Sequence, residues 1–145
     1  MTAACSLPAE CASVLEEGRK EALRYKWIKS EKAGRDLGQA AIDEWSRLHW
    51  WPHLRHCWFL HLQGIRYYQE FDERDFGLLH REFTDPQDRE LLRQIVERIY
   101  YHGAENLDII LWAQENQVDM ERVCLILERL DINTRRLRCK FPLEG

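Results

Sequence analysis

The chain has 145 residues, 45% hydrophobic and 32% charged, the balance of a globular chain rather than a disordered one. Twenty-one basic against 25 acidic side chains give a net charge of −4, which argues against a general polyanion binder. No run approaches the 18 or so apolar residues of a membrane span. Residues 1–18 lack the basic and apolar regions of a secretory signal. The five cysteines are an odd set with no Cys-x-x-Cys pair, unlike a disulfide framework or a zinc ribbon. These features predict reduced thiols, a cytoplasmic location and a single domain over 1–145, with flexible ends at 1–10 and 141–145.

In chain order, the segment from Cys11 to Lys32 favours helix, with Glu16 and Glu17 early and lysines late, as the helix dipole prefers. Its apolar residues spread around the wheel, so it either projects or is gripped on more than one side. A second stripe, Leu37, Ala41, Trp45 and Leu48, predicts a helix starting near Asp36. Pro52 then reads as the first turn of another helix, with Trp50-Trp51 as the corner between them. That helix is expected to end near Gln63-Gly64. Residues 65–83 read as a helix broken near Gly77; a strand over Ile65–Phe71 lacks a hairpin partner.

The C-terminal half has the clearest pattern. Asp85-Pro86 is an N-cap followed by proline at the first helical position. Leu91, Leu92, Ile95, Val96 and Ile99 follow at helical spacing until His102-Gly103. A helix from Ala104 to Glu115 should turn Leu107, Ile110 and Leu111 inward. Asp119 caps another carrying Met120, Val123, Cys124, Leu127 and Leu130. Short connections predict an antiparallel three-helix unit. The expected fold is therefore all-α, with about six helices.

Charge is unevenly distributed. Arg19–Arg35 holds seven basic and two acidic residues, whereas Tyr67–Glu90 holds three basic and eight acidic ones. The basic segment either meets the acidic one, within the fold or across a dimer, or meets phosphates. A nucleic-acid surface would use Arg24, Lys26, Trp27 and Lys29 with Arg135, Arg136 and Arg138 of the tail. Against it, the cations of the basic segment point to almost every side of a helix. The carboxylates Glu121, Glu128 and Asp131 likewise oppose a helix-turn-helix reading of the last two helices.

Residues 45–71 hold four of the six tryptophans and four of the six histidines. Such a belt lines a planar-ligand or haem pocket, holds a metal, or fills a core. His53, Cys57 and His61 fall on one helical face. Adjacent members are about 6 Å apart, but the outer two are separated by about 12 Å, too far to share one ion. A nearby imidazolium would activate Cys57, yet a cysteine in an apolar helix is ordinarily just buried. No phosphate-binding loop, dinucleotide fingerprint or zinc-hydrolase motif occurs. No cofactor is implied, and the expectation leans away from an enzyme. The leading expectation is a protein-binding module or homodimer using Trp50, Trp51, Arg55 and Trp58, because tryptophan and arginine anchor interfaces.

Overall fold

A computed structural model describes residues 11–131 and Phe141. It is all-α, with six α-helices and no strand among those residues: α1 Val14–Ala33, α2 Gln39–Leu62, α3 Leu78–Glu82, α4 Pro86–His102, α5 Asn106–Glu115 and α6 Met120–Leu130. None is long and apolar enough to cross a membrane.

The central element is α2, whose two sides serve two apolar clusters. Trp50, Leu54 and Cys57 face Val14 and Ala22 of α1, together with Tyr68 and Phe141. Trp58, Phe59 and Leu62 join Leu79, Ile95, Ile99, Ile109 and Val123 in the larger cluster built with α3–α6. The Trp58 indole N–H donates to the Leu130 carbonyl at 2.6 Å, tying α2 to the end of α6.

Pro52 does not begin a new helix; it lies inside α2. A proline there removes the amide that would bond the Leu48 carbonyl. Leu48 and Trp51 are both exposed, so that carbonyl belongs to a stretch open to solvent. Trp45, Trp50 and Leu54, buried on either side of the proline, hold the helix continuous. The expected Trp50-Trp51 corner is therefore absent, and the two rings part company: Trp50 is buried and Trp51 is 40% exposed. The helix also begins at Gln39, leaving Leu37 outside it, because Asp36 accepts from the Gly38 amide in a turn.

α1 touches the body through a stripe of small residues, Val14, Gly18 and Ala22. A Cβ on Gly18 would lie 3.0 Å from the Trp50 ring, 3.1 Å from Phe141 and 3.3 Å from His53. Glycine is what permits this approach. Phe141 belongs to a stretch expected to be flexible, yet it is buried in that contact. Beyond Ala22 one face of α1 stays against α2 through Leu23 and Tyr25, whereas Trp27 and Ile28 face solvent.

The α1 N-terminus is closed by the acidic segment. Glu70 accepts from the Ser13 hydroxyl at 2.5 Å and from the amides of Val14 and Leu15 at 2.7 and 3.4 Å. A carboxylate there satisfies amides that a helix start leaves without partners and complements the helix dipole. The acidic segment thus meets α1 at its start, ahead of the basic stretch, where Arg66 also pairs with Glu17 at 2.6 Å; Lys26 and Lys29 pair instead with Asp36 and Glu44, outside Tyr67–Glu90.

Residues 65–72 are not helical. Ala12 and Tyr68 form an isolated parallel bridge, so the strand-like stretch finds its partner far away in sequence. Gly77 caps α3 in the left-handed conformation, and a Cβ on Gly64 would meet the Gly77 Cα at 3.2 Å. In α5, Ile109 and Ala113 turn inward and Ile110 packs against the core as expected, while Leu107 and Leu111, also expected inward, are 65% and 48% exposed. The run Ile109-Ile110-Leu111-Trp112-Ala113 is apolar all round, so periodicity could not choose a side. In α6, Cys124 is exposed and Ile126 takes the inward position.

Candidate functional site

The aromatic-histidine belt is mainly core. His61 is fully buried; its Nε2–H donates to the Asp72 carbonyl at 2.8 Å and its Nδ1 accepts from the Tyr68 amide at 3.2 Å. These roles require the neutral ring protonated at Nε2. The ring lies against Trp58, Tyr67, Phe71 and Phe76. It fastens the 65–76 loop to α2.

With both nitrogens engaged by backbone, His61 is not poised to join His53 and Cys57 around a metal. Among the described residues no three His, Cys, Asp or Glu side chains converge in a metal-holding group.

His53 and Cys57 are close, 3.7 Å from Nε2 to Sγ, but not as a nucleophile and its base. The same Nε2 lies 3.0 Å from the Val14 carbonyl and must donate to it, so the nitrogen nearest the sulfur carries a proton. Burial pushes the Cys57 thiol up to about 12, leaving it protonated at neutral pH. Glu17 links this region, accepting from the Tyr68 hydroxyl at 2.8 Å. Burial raises the Tyr68 phenol as well, reinforced by its bond with Cys57. This polar network joins α1, α2 and the 65–72 loop without presenting a reactive group to solvent.

The predicted nucleic-acid residues of α1 are largely engaged with carboxylates. Arg24 lies 3.7 Å from Glu21, Lys26 3.5 Å from Asp36 and Lys29 3.9 Å from Glu44. Lys26 helps to lower the Asp36 carboxyl, after the larger effect of the Gly38 amide. Glu44 also accepts from the Tyr25 hydroxyl, which lowers the carboxyl and raises the phenol. Trp27 alone stands clear, 63% exposed. Arg135, Arg136 and Arg138 lie outside the described residues.

Of the four predicted interface anchors, Trp50 and Trp58 are core residues, 3% and 1% exposed. Their size was a packing signal, not an interface signal. Trp51 remains accessible, and the Arg55 Nη2 donates to both carboxylate oxygens of Glu105, at 2.9 and 3.1 Å. Glu105 in turn forms the capping box of α5 with Asp108, so this corner is fully explained by capping.

The candidate site emerges instead on the far side of α2, where an apolar groove of about 390 Å³ opens between α2 and α4. His56, Phe59, Leu60 and Gln63 supply the α2 wall, a stripe at helical spacing. Leu92, Val96 and Tyr100, flanked by Arg89 and Arg93, supply the α4 wall. Leu79 and Phe83 of the α3 region close the floor at one end. The walls run in opposite directions. His56, at the start of the α2 wall, lies against Tyr100 late in α4, with 5.0 Å between ring centres and the rings tilted by 46°. At the other end, the Gly77 amide bonds the His61 carbonyl, and Arg89 bonds the Phe83 carbonyl.

This groove exists because α4 carries two apolar stripes. Leu91, Ile95 and Ile99 are buried in the core, whereas Leu92 and Val96 are only partly covered. At 3.6 residues per turn, Leu92, Val96, Tyr100, Arg89 and Arg93 fall within an arc of about 100°. From the sequence, both stripes looked like one inward face; the doubled pairs Leu91-Leu92 and Ile95-Val96 were the signal that it was too wide for one neighbour. Tyr100 and Tyr101 stand at the lip, 48% and 73% exposed. Burial holds the His56 imidazole below its ordinary range, with His53 adding to the effect, so it lines the groove as a neutral ring.

Compared with known proteins, the chain matches no family, no curated protein and no solved structure.

Proposed function

We propose that this protein is a non-enzymatic interaction module that takes an amphipathic helix of a protein partner into the α2–α4 groove. The supporting observation is the pair of helical stripes, one on each wall, with an open apolar trough between them. Two antiparallel helices with uncovered stripes present ridges and a groove that a third helix fills by ordinary helix packing. From Arg89 to Tyr101 the α4 wall spans roughly 18 Å at 1.5 Å per residue, about three turns of a partner helix. A cytoplasmic setting fits this proposal, since Cys11, Cys57 and Cys124 are free thiols.

The experiment is selection of helical peptides from a displayed random library, with Val96→Glu as the counter-target. Val96 is only partly buried, so the charge enters the trough rather than the core. The expected result is enrichment of peptides with apolar residues at helical spacing whose binding falls at least about tenfold with Val96→Glu. Enriched peptides that bind both proteins equally would overturn the proposal. Sedimentation of wild type and variant reveals the other occupant: dimerisation lost in Val96→Glu would place a second copy in the groove.

A further inference from the structure

The groove is apolar along its length but electrostatically different at its ends. At mid-groove, Arg93 pairs with Glu90 and, at 2.7 Å, with Glu97, so that guanidinium is already answered. At the tyrosine end, Tyr100 and the neutral His56 present no net charge. Arg89 stands at the opposite end. Its Nε–H donates to the Phe83 carbonyl at 3.1 Å, and no carboxylate among the described residues lies within ion-pair distance of it. That single bond orients the guanidinium while leaving its terminal nitrogens for an incoming group. A held, planar fork of this kind suits a carboxylate in a two-point contact better than a lysine would.

Resting on the helix-in-groove proposal, we infer that the partner helix carries an aspartate or glutamate at the end lying over Arg89, and that Arg89 sets its direction in the groove. The opposite, tyrosine-lined end receives the uncharged end of the helix. In the reversed orientation, that carboxylate would sit over Tyr100 and His56 with no cation to receive it, while Arg89 faced an apolar turn. Charge at one end therefore selects orientation and partner, while the apolar stripe supplies most of the contact.

The test uses synthetic amphipathic peptides about three turns long. All share one leucine stripe and carry Glu, Gln or Lys at the same terminal turn, and a second set carries them at the other terminus. Binding to the full chain is followed by fluorescence anisotropy at low and high salt. Because Glu and Lys also change the helicity of the peptide itself, the informative quantity is the coupling in a cycle combining peptide Glu→Gln with protein Arg89→Gln. For one of the two sets the expected coupling is about tenfold, weaker at high salt, and Arg89→Glu reverses the Glu-over-Lys preference. Arg89 is exposed, and an unchanged melting temperature would confirm intact variants. Equal binding of Glu, Gln and Lys peptides in both sets, still abolished by Val96→Glu, overturns the charge inference and leaves the groove proposal standing. A charge preference unaltered by Arg89→Glu overturns Arg89 as its reader. No binding of any peptide, or binding indifferent to Val96→Glu, overturns the groove proposal and this inference with it.

Discussion

The two apolar clusters on either side of α2 are built by opposite means. Toward α1 the contact uses the smallest residues available, Val14, Gly18 and Ala22, against the rings of Trp45, Trp50 and Phe141. Toward α4–α6 the contact is aliphatic, with Ile95, Ile99, Ile109, Val123, Ile126 and Leu130 interleaved around Trp58. The first cluster has no room for added atoms, and the second depends on the atoms it has. In its second half α1 keeps to α2 through polar pairs, Tyr25 and Lys29 with Glu44, whereas the second stripe of α4 lines a groove.

Removal should hurt most where the aliphatic cluster meets α2. Trp58→Ala takes away a 1%-exposed ring and the indole bond to Leu130, so unfolding in denaturant should show a loss of about 3–5 kcal/mol. Ile95→Ala, within the same cluster, should cost about 2–5 kcal/mol by the same measurement. A smaller loss for either would mean that the cluster collapses around the gap.

Addition should hurt in the other cluster. Gly18→Val meets three aromatic rings that already pack on one another, and overpacking should cost about 1–3 kcal/mol. The helix propensity gained by replacing glycine, roughly 0.5–1 kcal/mol for alanine, is too small to offset it. A stabilised Gly18→Val protein would show that α1 is held at a distance from α2, not pressed against it.

The cap is a milder lever. Glu70→Ala leaves the Val14 and Leu15 amides without their acceptor and should cost about 0.5–2 kcal/mol, the range for lost helix caps. Hydrogen exchange at the start of α1 should rise more than at α4.

Two chemical probes complete the comparison. Cys57 is buried with its thiol pushed up to about 12, whereas Cys124 is exposed. A thiol reagent at neutral pH should therefore modify Cys124 in the native protein and reach Cys57 only on unfolding. The smallest expected effect belongs to His56. Its native imidazole resists protonation, so below the ordinary value of about 6.5 the unfolded chain binds more protons. This group's stabilisation is present above that pH and declines as pH falls through it. His56→Gln should remove part of the wild-type drop in melting temperature between neutral and mildly acidic pH. An unchanged acid slope would show that burial does not hold the ring neutral.

Much of the C-terminal half was legible because local signals agreed. Asp85-Pro86 and Asp119 cap their helices as expected, and Gly103 ends α4 in the left-handed conformation. Where one residue carried the whole inference, it failed. Pro52 indicated a helix start on local grounds, but buried contacts on both sides override the loss of one backbone bond. The tryptophans drew attention as interface anchors, and three of the four in the belt are buried. The groove went unseen because its walls lie on helices more than twenty residues apart, and helical periodicity describes one helix at a time.

Helical class and the caps of α4 and α6 followed from spacing and end residues, because turns and caps are made by neighbours in the chain. Which stripe of each helix is covered was settled by contacts between distant segments. Glu70 closes α1, Gly18 admits Trp50 and Phe141, and α2 serves two clusters. An amphipathic pattern states how much apolar surface a helix must hide, but the neighbours that arrive determine how much of it is left open, and on α4 they leave Leu92, Val96 and Tyr100 facing a trough.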